Sequence, residues 1–158
     1  MDIIKATKKD IIEIAKIASE NFSGLKDPDK AEKWVECNFC AFPRTQYFVC
    51  KEKGNISGYI FWIEKGGFRK ESVWELEQIA VSKNFQGQGA GTKLIEESLA
   101  EIKKYLKKRG SSLKAVEVTT GTENRAQKLY QRTLGAQAEC TVKNLFRGDE
   151  ILMIARFI

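Results

Sequence analysis

Seven residues in the middle of the chain, Gln86-Gly87-Gln88-Gly89-Ala90-Gly91-Thr92, constrain the fold more than any others. Before them lies an apolar run, Leu76 to Val81, broken only by Glu77 and Gln78. After them comes an amphipathic pattern from Lys93 to Lys108. The order is strand, glycine-rich turn, helix. The glycines let the backbone take positive φ and let a ligand approach the main chain closely. The helix that follows presents unpaired N–H groups and the positive end of its dipole at the turn. Such a junction fits a phosphate. Glycines also end strands and begin helices for structural reasons alone, so the turn by itself leaves both readings open.

The spacing excludes two familiar phosphate loops. The turn has no Gly-Lys-Ser/Thr ending, so no lysine is placed for the terminal phosphates of a nucleoside triphosphate. Its glycines, Gly87, Gly89 and Gly91, do not follow Gly-x-Gly-x-x-Gly. A dinucleotide site also wants an acidic residue at the end of the next strand. That strand, Ala115 to Thr119, runs into Thr120 and Gly121 instead. The loop fits a pyrophosphate held by main chain, but neither of those cofactor classes.

With 158 residues the chain is expected to form one domain, residues 1–158. Hydrophobic residues at 42% and charged residues at 30% suit a soluble globular protein. No apolar run approaches a membrane span and the first residues lack a signal-peptide layout, so a cytoplasmic location and no membrane partner are expected. The chain has no histidine. That removes the commonest general base and metal ligand and any Ser-His or Cys-His nucleophile. The 4 cysteines are expected to be reduced thiols. Cys37-x-x-Cys40 lies in a helical pattern with Trp34, and nothing else in the chain completes a zinc ligand set. The pair is expected to pack as small apolar residues, and no metal is expected. A net charge of +6 suits a polyanionic cofactor as well as nucleic acid. The lysines are spread along the chain, and the cluster Lys103 to Arg109 sits where cations complement a helix dipole. Nucleic acid is therefore the poorer partner.

The elements follow in order. Ile3 to Ala6 reads as a strand, with Thr7 and Asp10 as a near capping box. A helix with Ile11, Ile14, Ala15 and Ala18 on one face ends at Phe22-Ser23-Gly24. A second begins near Asp27-Pro28-Asp29 and carries Ala31, Trp34, Val35 and Phe39. Strands Gln46 to Lys51 and Ile56 to Glu64 form a hairpin with aromatic residues in the core. Lys65 to Glu71 is a connection beside which a substrate could be selected. The strand Val73 to Val81 enters the glycine turn. The long helix that leaves it buries Leu94, Ile95, Leu99, Ile102 and Leu106 and stops at Gly110. A strand, Leu113 to Thr119, and a helix, Glu123 to Leu134, follow. Strands Gln137 to Asn144 and Glu150 to Phe157 close the chain. The fold class is mixed α/β of the α+β kind: a mostly antiparallel sheet, a strand-helix-strand crossover at the glycine turn and flanking helices.

These residues resemble the GNAT superfamily of acetyl-CoA-dependent N-acetyltransferases. Gln86, Gly89 and Gly91 meet the family pattern Gln/Arg-x-x-Gly-x-Gly/Ala, after a strand ending in the small apolar triplet Ile79-Ala80-Val81. Asn124, Ala126, Leu129, Tyr130 and Gly135 match a second family signature in order and spacing. Ala136 stands where the family usually has an aromatic residue, a departure that bears on packing. The match is good from about Val73 to Gly135. The resemblance implies a single acyl-CoA N-acyltransferase domain whose parallel strands splay apart. It implies that acetyl-CoA, as cosubstrate, is held by Ile79, Ala80 and Val81 along the pantetheine arm. Gln86, Gly87, Gln88, Gly89, Ala90, Gly91 and Thr92 would hold the pyrophosphate. Asn124 would bind the arm or orient the site, and Tyr130 would place its phenol near the sulfur. Homodimers are common in the family.

The implied reaction is direct transfer of acetyl from thioester to a primary amine in a ternary complex. A free alkyl amine has a pKa near ~10.4, so a base must take its proton. Glu75 and Glu77 point to one face of their strand by the two-residue repeat, and the sequence does not separate them. By resemblance, Glu75 lies where some members place the base. Tyr130 suits protonation of the leaving thiolate. The competing function is a CoA-binding regulatory module without catalysis. A nucleic-acid-binding domain lacks both a stacking aromatic signature and a basic recognition helix. Whether the acceptor is a small molecule or a protein amine stays open.

Overall fold

A computed structural model describes residues 1–158. It has seven strands: β1 (Asp2–Lys5), β2 (Thr45–Glu52), β3 (Asn55–Lys65), β4 (Glu71–Val81), β5 (Ser112–Gly121), β6 (Gln137–Val142) and β7 (Glu150–Arg156). It has four α-helices: α1 (Ile11–Asn21), α2 (Pro28–Phe39), α3 (Ala90–Lys108) and α4 (Ala126–Leu134). The strands form one sheet in the order β1-β2-β3-β4-β5-β7-β6. β4 and β5 are its parallel pair, the crossover that α3 makes possible. The pairs β1–β2, β2–β3, β5–β7 and β6–β7 are antiparallel. This is the mixed architecture expected from the sequence.

The chain divides into two compact units, Met1–Ile63 with Gln78–Ser98, and Glu64–Glu77 with Leu99–Ile158. In the first, α1 and α2 bury the stripes Ile11, Ile14, Ala15, Ala18 and Ala31, Val35 among Tyr47, Val49, Tyr59 and Phe61. Tyr47 lies between Phe39 and Phe61, at ring-centroid distances of 4.8 and 4.2 Å, nearly parallel to both. The β2–β3 hairpin turns at Lys53 and Gly54, both with positive φ, which matches the right-handed twist of the strands. Asp10 accepts the Thr7 N–H at 2.8 Å, and Asp27 caps α2 by accepting from Asp29 and Lys30. In the second unit, Leu106, Leu113, Val116, Val118, Tyr130, Leu134 and Met153 are buried. Gly135, with φ of 70°, ends α4 in the left-handed cap expected of it.

Three expectations need correction. Cys37 and Cys40 do not pack: both are exposed. The buried stripe of α2 is Ala31 and Val35, with Phe39 partly buried. At roughly 100° per residue both cysteines fall on the opposite side of the helix. Lys65 is the last residue of β3 and not part of a loop. The ends of α3 and α4 also move. α3 takes in Ala90, Gly91 and Thr92, whereas α4 starts at Ala126, three residues later than expected. Gln127, in the first turn of α4, donates its side-chain amide back to the carbonyls of Gly121 and Thr122, which holds the preceding segment as a turn.

Candidate active site

The glycine turn belongs to the first unit, together with Ile79, Ala80 and Val81 at the end of β4. A single-turn helix, Lys83–Phe85, leads into it. Gly87 and Gly89 have φ of 76° and 83°, the left-handed conformation that side chains disfavour. Gly91 has no such need, because it lies in the first turn of α3. The first α3 bond near the turn runs from the Lys93 N–H to the Gly89 carbonyl. The turn thus stands at the N-terminal end of a 19-residue helix, beside an exposed loop from Gln86 to Gly89. The Gln86 amide donates to the Val81 carbonyl at 3.0 Å, and the Gln88 amide donates to Asn84 at 3.2 Å. These two glutamines brace the loop against its own backbone. The Val81 carbonyl thus already has a partner in Gln86.

The candidate carboxylates gather in the second unit. β4 alternates: Ser72, Trp74 and Leu76 are buried, and Val73, Glu75 and Glu77 share the other face. Glu75 is ion-paired to Lys65 at 2.8 Å, and the same ammonium lies 3.3 Å from Glu117 on β5. Glu75 and Glu117 are the last registered pair of the parallel ladder, which begins at Glu71 and Ser112. Residues Leu76–Val81 continue β4 beyond the paired part. Glu77 has no such cation. Burial, then the charge of Glu75 and a hydrogen bond to it, push its carboxyl above the usual range, and Lys65 partly offsets this. The two carboxylates that the sequence leaves equivalent are therefore different groups.

Tyr130 and Asn124 also lie in the second unit. Tyr130 is 6% exposed, and burial pushes its phenol up to about 12. It stays protonated throughout the neutral range. Asn124 is exposed just ahead of α4, and its side-chain oxygen accepts the Ala126 N–H at 2.9 Å. That oxygen caps the helix, which leaves the amide NH₂ as the group that can reach a ligand.

Residues 11–136 match the model of the Acetyltransferase (GNAT) family. The chain belongs to this family. It is 29% identical over 153 residues to an uncharacterised N-acetyltransferase of Methanocaldococcus jannaschii. That alignment covers 92% of this chain and 64% of the longer relative. An aminoglycoside 6'-N-acetyltransferase solved with coenzyme A shares the fold, with a TM-score of 0.77, 15% identity and coverage of 100% and 98% of the two chains. A ribosomal-protein-alanine N-acetyltransferase from Brucella melitensis does so at TM-score 0.72, 22% identity and coverage of 99% and 100%.

Three residues of this GNAT chain escaped the sequence reading. Lys65 and Glu117 complete the carboxylate cluster, but they come from different strands, and only the sheet order joins them. Gly58 is the third. A Cβ there would stand 2.8 Å from the Ala80 carbonyl and 3.2 Å from a Val81 methyl. A glycine inside an apolar strand marks such a close approach, and that signal was present in the sequence.

Proposed function

We propose that this GNAT chain moves the acetyl group of acetyl-CoA to a primary amine by direct transfer in a ternary complex. The observation that carries the reading is the turn: two left-handed glycines opening a long helix directly after Ile79-Ala80-Val81. The N–H groups of the turn from Gln86 to Thr92 hold the pyrophosphate, with that of Gln86 already donating to the Lys83 carbonyl, and a main chain without side chains at Gly87 and Gly89 admits it closely. The backbone of Ile79, Ala80 and Val81 lines the pantetheine arm. Its N–H groups are the better partners, because the Val81 carbonyl is already engaged. The Asn124 amide donates to the same arm.

Glu77 is the base, with Glu75 beside it held by Lys65. A carboxylate raised above its usual range accepts a proton more readily near neutral pH than one locked to a lysine. The neutral nitrogen then attacks the thioester carbonyl, the carbon–sulfur bond breaks, and the sulfur takes up a proton. An ordinary thiol has a pKa of ~8.5, so complete transfer from a phenol near 12 to a free thiolate is uphill by roughly 5 kcal/mol. Tyr130 therefore acts chiefly by donating a hydrogen bond to the sulfur as charge develops. The acceptor is an amine of a small molecule or of a protein.

A panel of amines assayed for thiol release from acetyl-CoA, beside calorimetric titration of acetyl-CoA, tests the proposal. Binding together with amine-dependent thiol release is the expected result. Binding without release for any amine would make the chain a CoA-binding regulatory module instead.

A further inference from the structure

Lys65 ends β3, and its ammonium reaches Glu75 Oε2 at 2.8 Å and Glu117 Oε1 at 3.3 Å. β3, β4 and β5 are consecutive in the sheet, so one side chain ties three strands together. It does so at the last pair of the parallel ladder. Carboxylates directly opposite on adjacent strands repel, and a shared cation offsets that repulsion. The lysine side chain is 42% exposed, so the bridges add little to stability. Their effect falls instead on Glu77, which has no cation of its own and lies two residues beyond Glu75 on the same face of β4.

We propose that Lys65 is a positioning residue for acetyl transfer: its ion pairs fix the Glu75 and Glu117 carboxylates beside Glu77, so that Glu77 alone in the cluster exchanges the proton. The inference rests on the reading of Glu77 as base. The charged groups acting on Glu77 are Glu75 on its own strand and Lys65 on β3, with Glu117 on β5 acting through Lys65. Without the ammonium, Glu75 loses its ion-pair partner beside Glu77. Glu77 also loses the one positive charge that favours its ionised form. Its titration must move to higher pH.

The experiment uses the whole chain with Lys65→Met, Lys65→Arg and Glu77→Gln. Two midpoints are read: the acidic limb of kcat/KM, and carbon-13 NMR titration of the Glu77 carboxyl, assigned by its absence in Glu77→Gln. In Lys65→Met both midpoints should rise by roughly 0.5–1 unit, toward the low end of what a neighbouring charge produces. Lys65→Arg should restore both, because the charge returns. A purely structural lysine would change the melting temperature and leave the midpoints in place. If Glu77→Gln loses the acidic limb while Lys65→Met moves neither midpoint, the inference about Lys65 fails alone. If Glu77→Gln keeps the limb, the reading of Glu77 as base fails and takes Lys65's part in the reaction with it.

Discussion

Glu64 and Lys65 are neighbours at the end of β3, and each is one half of an ion pair, but their surroundings oppose them. Glu64 points to one face and is 1% exposed. Arg109 grips it through both guanidinium nitrogens, at 2.8 and 2.6 Å. Ser72 donates to the same carboxylate, Trp74 donates to Ser72, and Arg109 also reaches Tyr105 and Ser111. Lys65 points to the other face, where half-buried carboxylates outnumber it. One system is closed, with its charges matched and its hydrogen bonds met. The other is open, with one carboxylate left over. The closed system holds the chain just beyond α3 to β3. In the proposed reaction the open one is where the proton moves. Two faces of one strand thus separate stability from chemistry, and substitutions on each face test that separation.

The largest effect should come from the closed side. Arg109→Met leaves Glu64 buried without its cation, a change that typically costs about 3–5 kcal/mol. Denaturant unfolding should show that loss, and the activity of the remaining folded protein should stay near wild type. Adding Glu64→Leu to the same chain should recover most of the stability, since an apolar pair of similar volume needs no desolvated charge. If the double variant is as unstable as the single one, the network's other hydrogen bonds matter more than the ion pair.

The open side should behave in the reverse way. Glu77→Gln should lower kcat/KM by roughly 10²–10⁴-fold, the usual contribution of an acid–base group, while the unfolding midpoint barely moves. Tyr130→Phe should lower kcat by at least ~10-fold with acetyl-CoA affinity unchanged, because the donor matters only once charge reaches the sulfur. With its phenol pushed up to about 12, Tyr130 should produce no loss of activity between pH 8 and 10. An alkaline limb in that range that vanishes in Tyr130→Phe would show that the bound complex holds the phenol lower. In the first unit, Gly89→Val should weaken acetyl-CoA binding in a calorimetric titration. Its φ of 83° disfavours any side chain, and a branched one also covers the N–H groups of the turn. Unchanged affinity in a folded variant would remove the turn from the binding site.

How far the sequence made this legible depends on the kind of signal. Every strand and α-helix was located, but not by periodicity alone: burial alternates along β4, whereas β1 and β6 are mostly exposed. The two left-handed glycines were legible because so few other residues tolerate positive φ. Tyr130 could be singled out, but its environment could not, since burial among distant elements has no local signature. Cys37 and Cys40 were misplaced because cysteine suits an apolar face and solvent alike, and only the Ala31–Val35 stripe shows which side of α2 is buried. The difference between Glu75 and Glu77 was illegible for a more basic reason. Both sit on one face of one strand, and what separates them is a lysine from β3 and a glutamate from β5. The sheet order assembles that contrast, not residues near them in the chain.

The smallest effect on stability should come from Glu75→Gln, and it bears on the comparison most directly. The substitution removes the ion pair with Lys65, a pair whose lysine is 42% exposed. Exposed pairs contribute roughly 0–1 kcal/mol, so the unfolding free energy should fall by less than ~1 kcal/mol. The proton should respond more clearly. The charge of Glu75 helps to hold Glu77 above the usual carboxylate range, so its removal lets Glu77 titrate lower. The acidic limb of kcat/KM should therefore move to lower pH, opposite to the shift expected for Lys65→Met. Opposite shifts from two partners in one ion pair are hard to explain by a general loosening of the structure, which would move both variants the same way. If Glu75→Gln instead loses the limb altogether, together with most of its activity, then Glu75 is the base, and the lysine of β3 pairs directly with the group that does the chemistry.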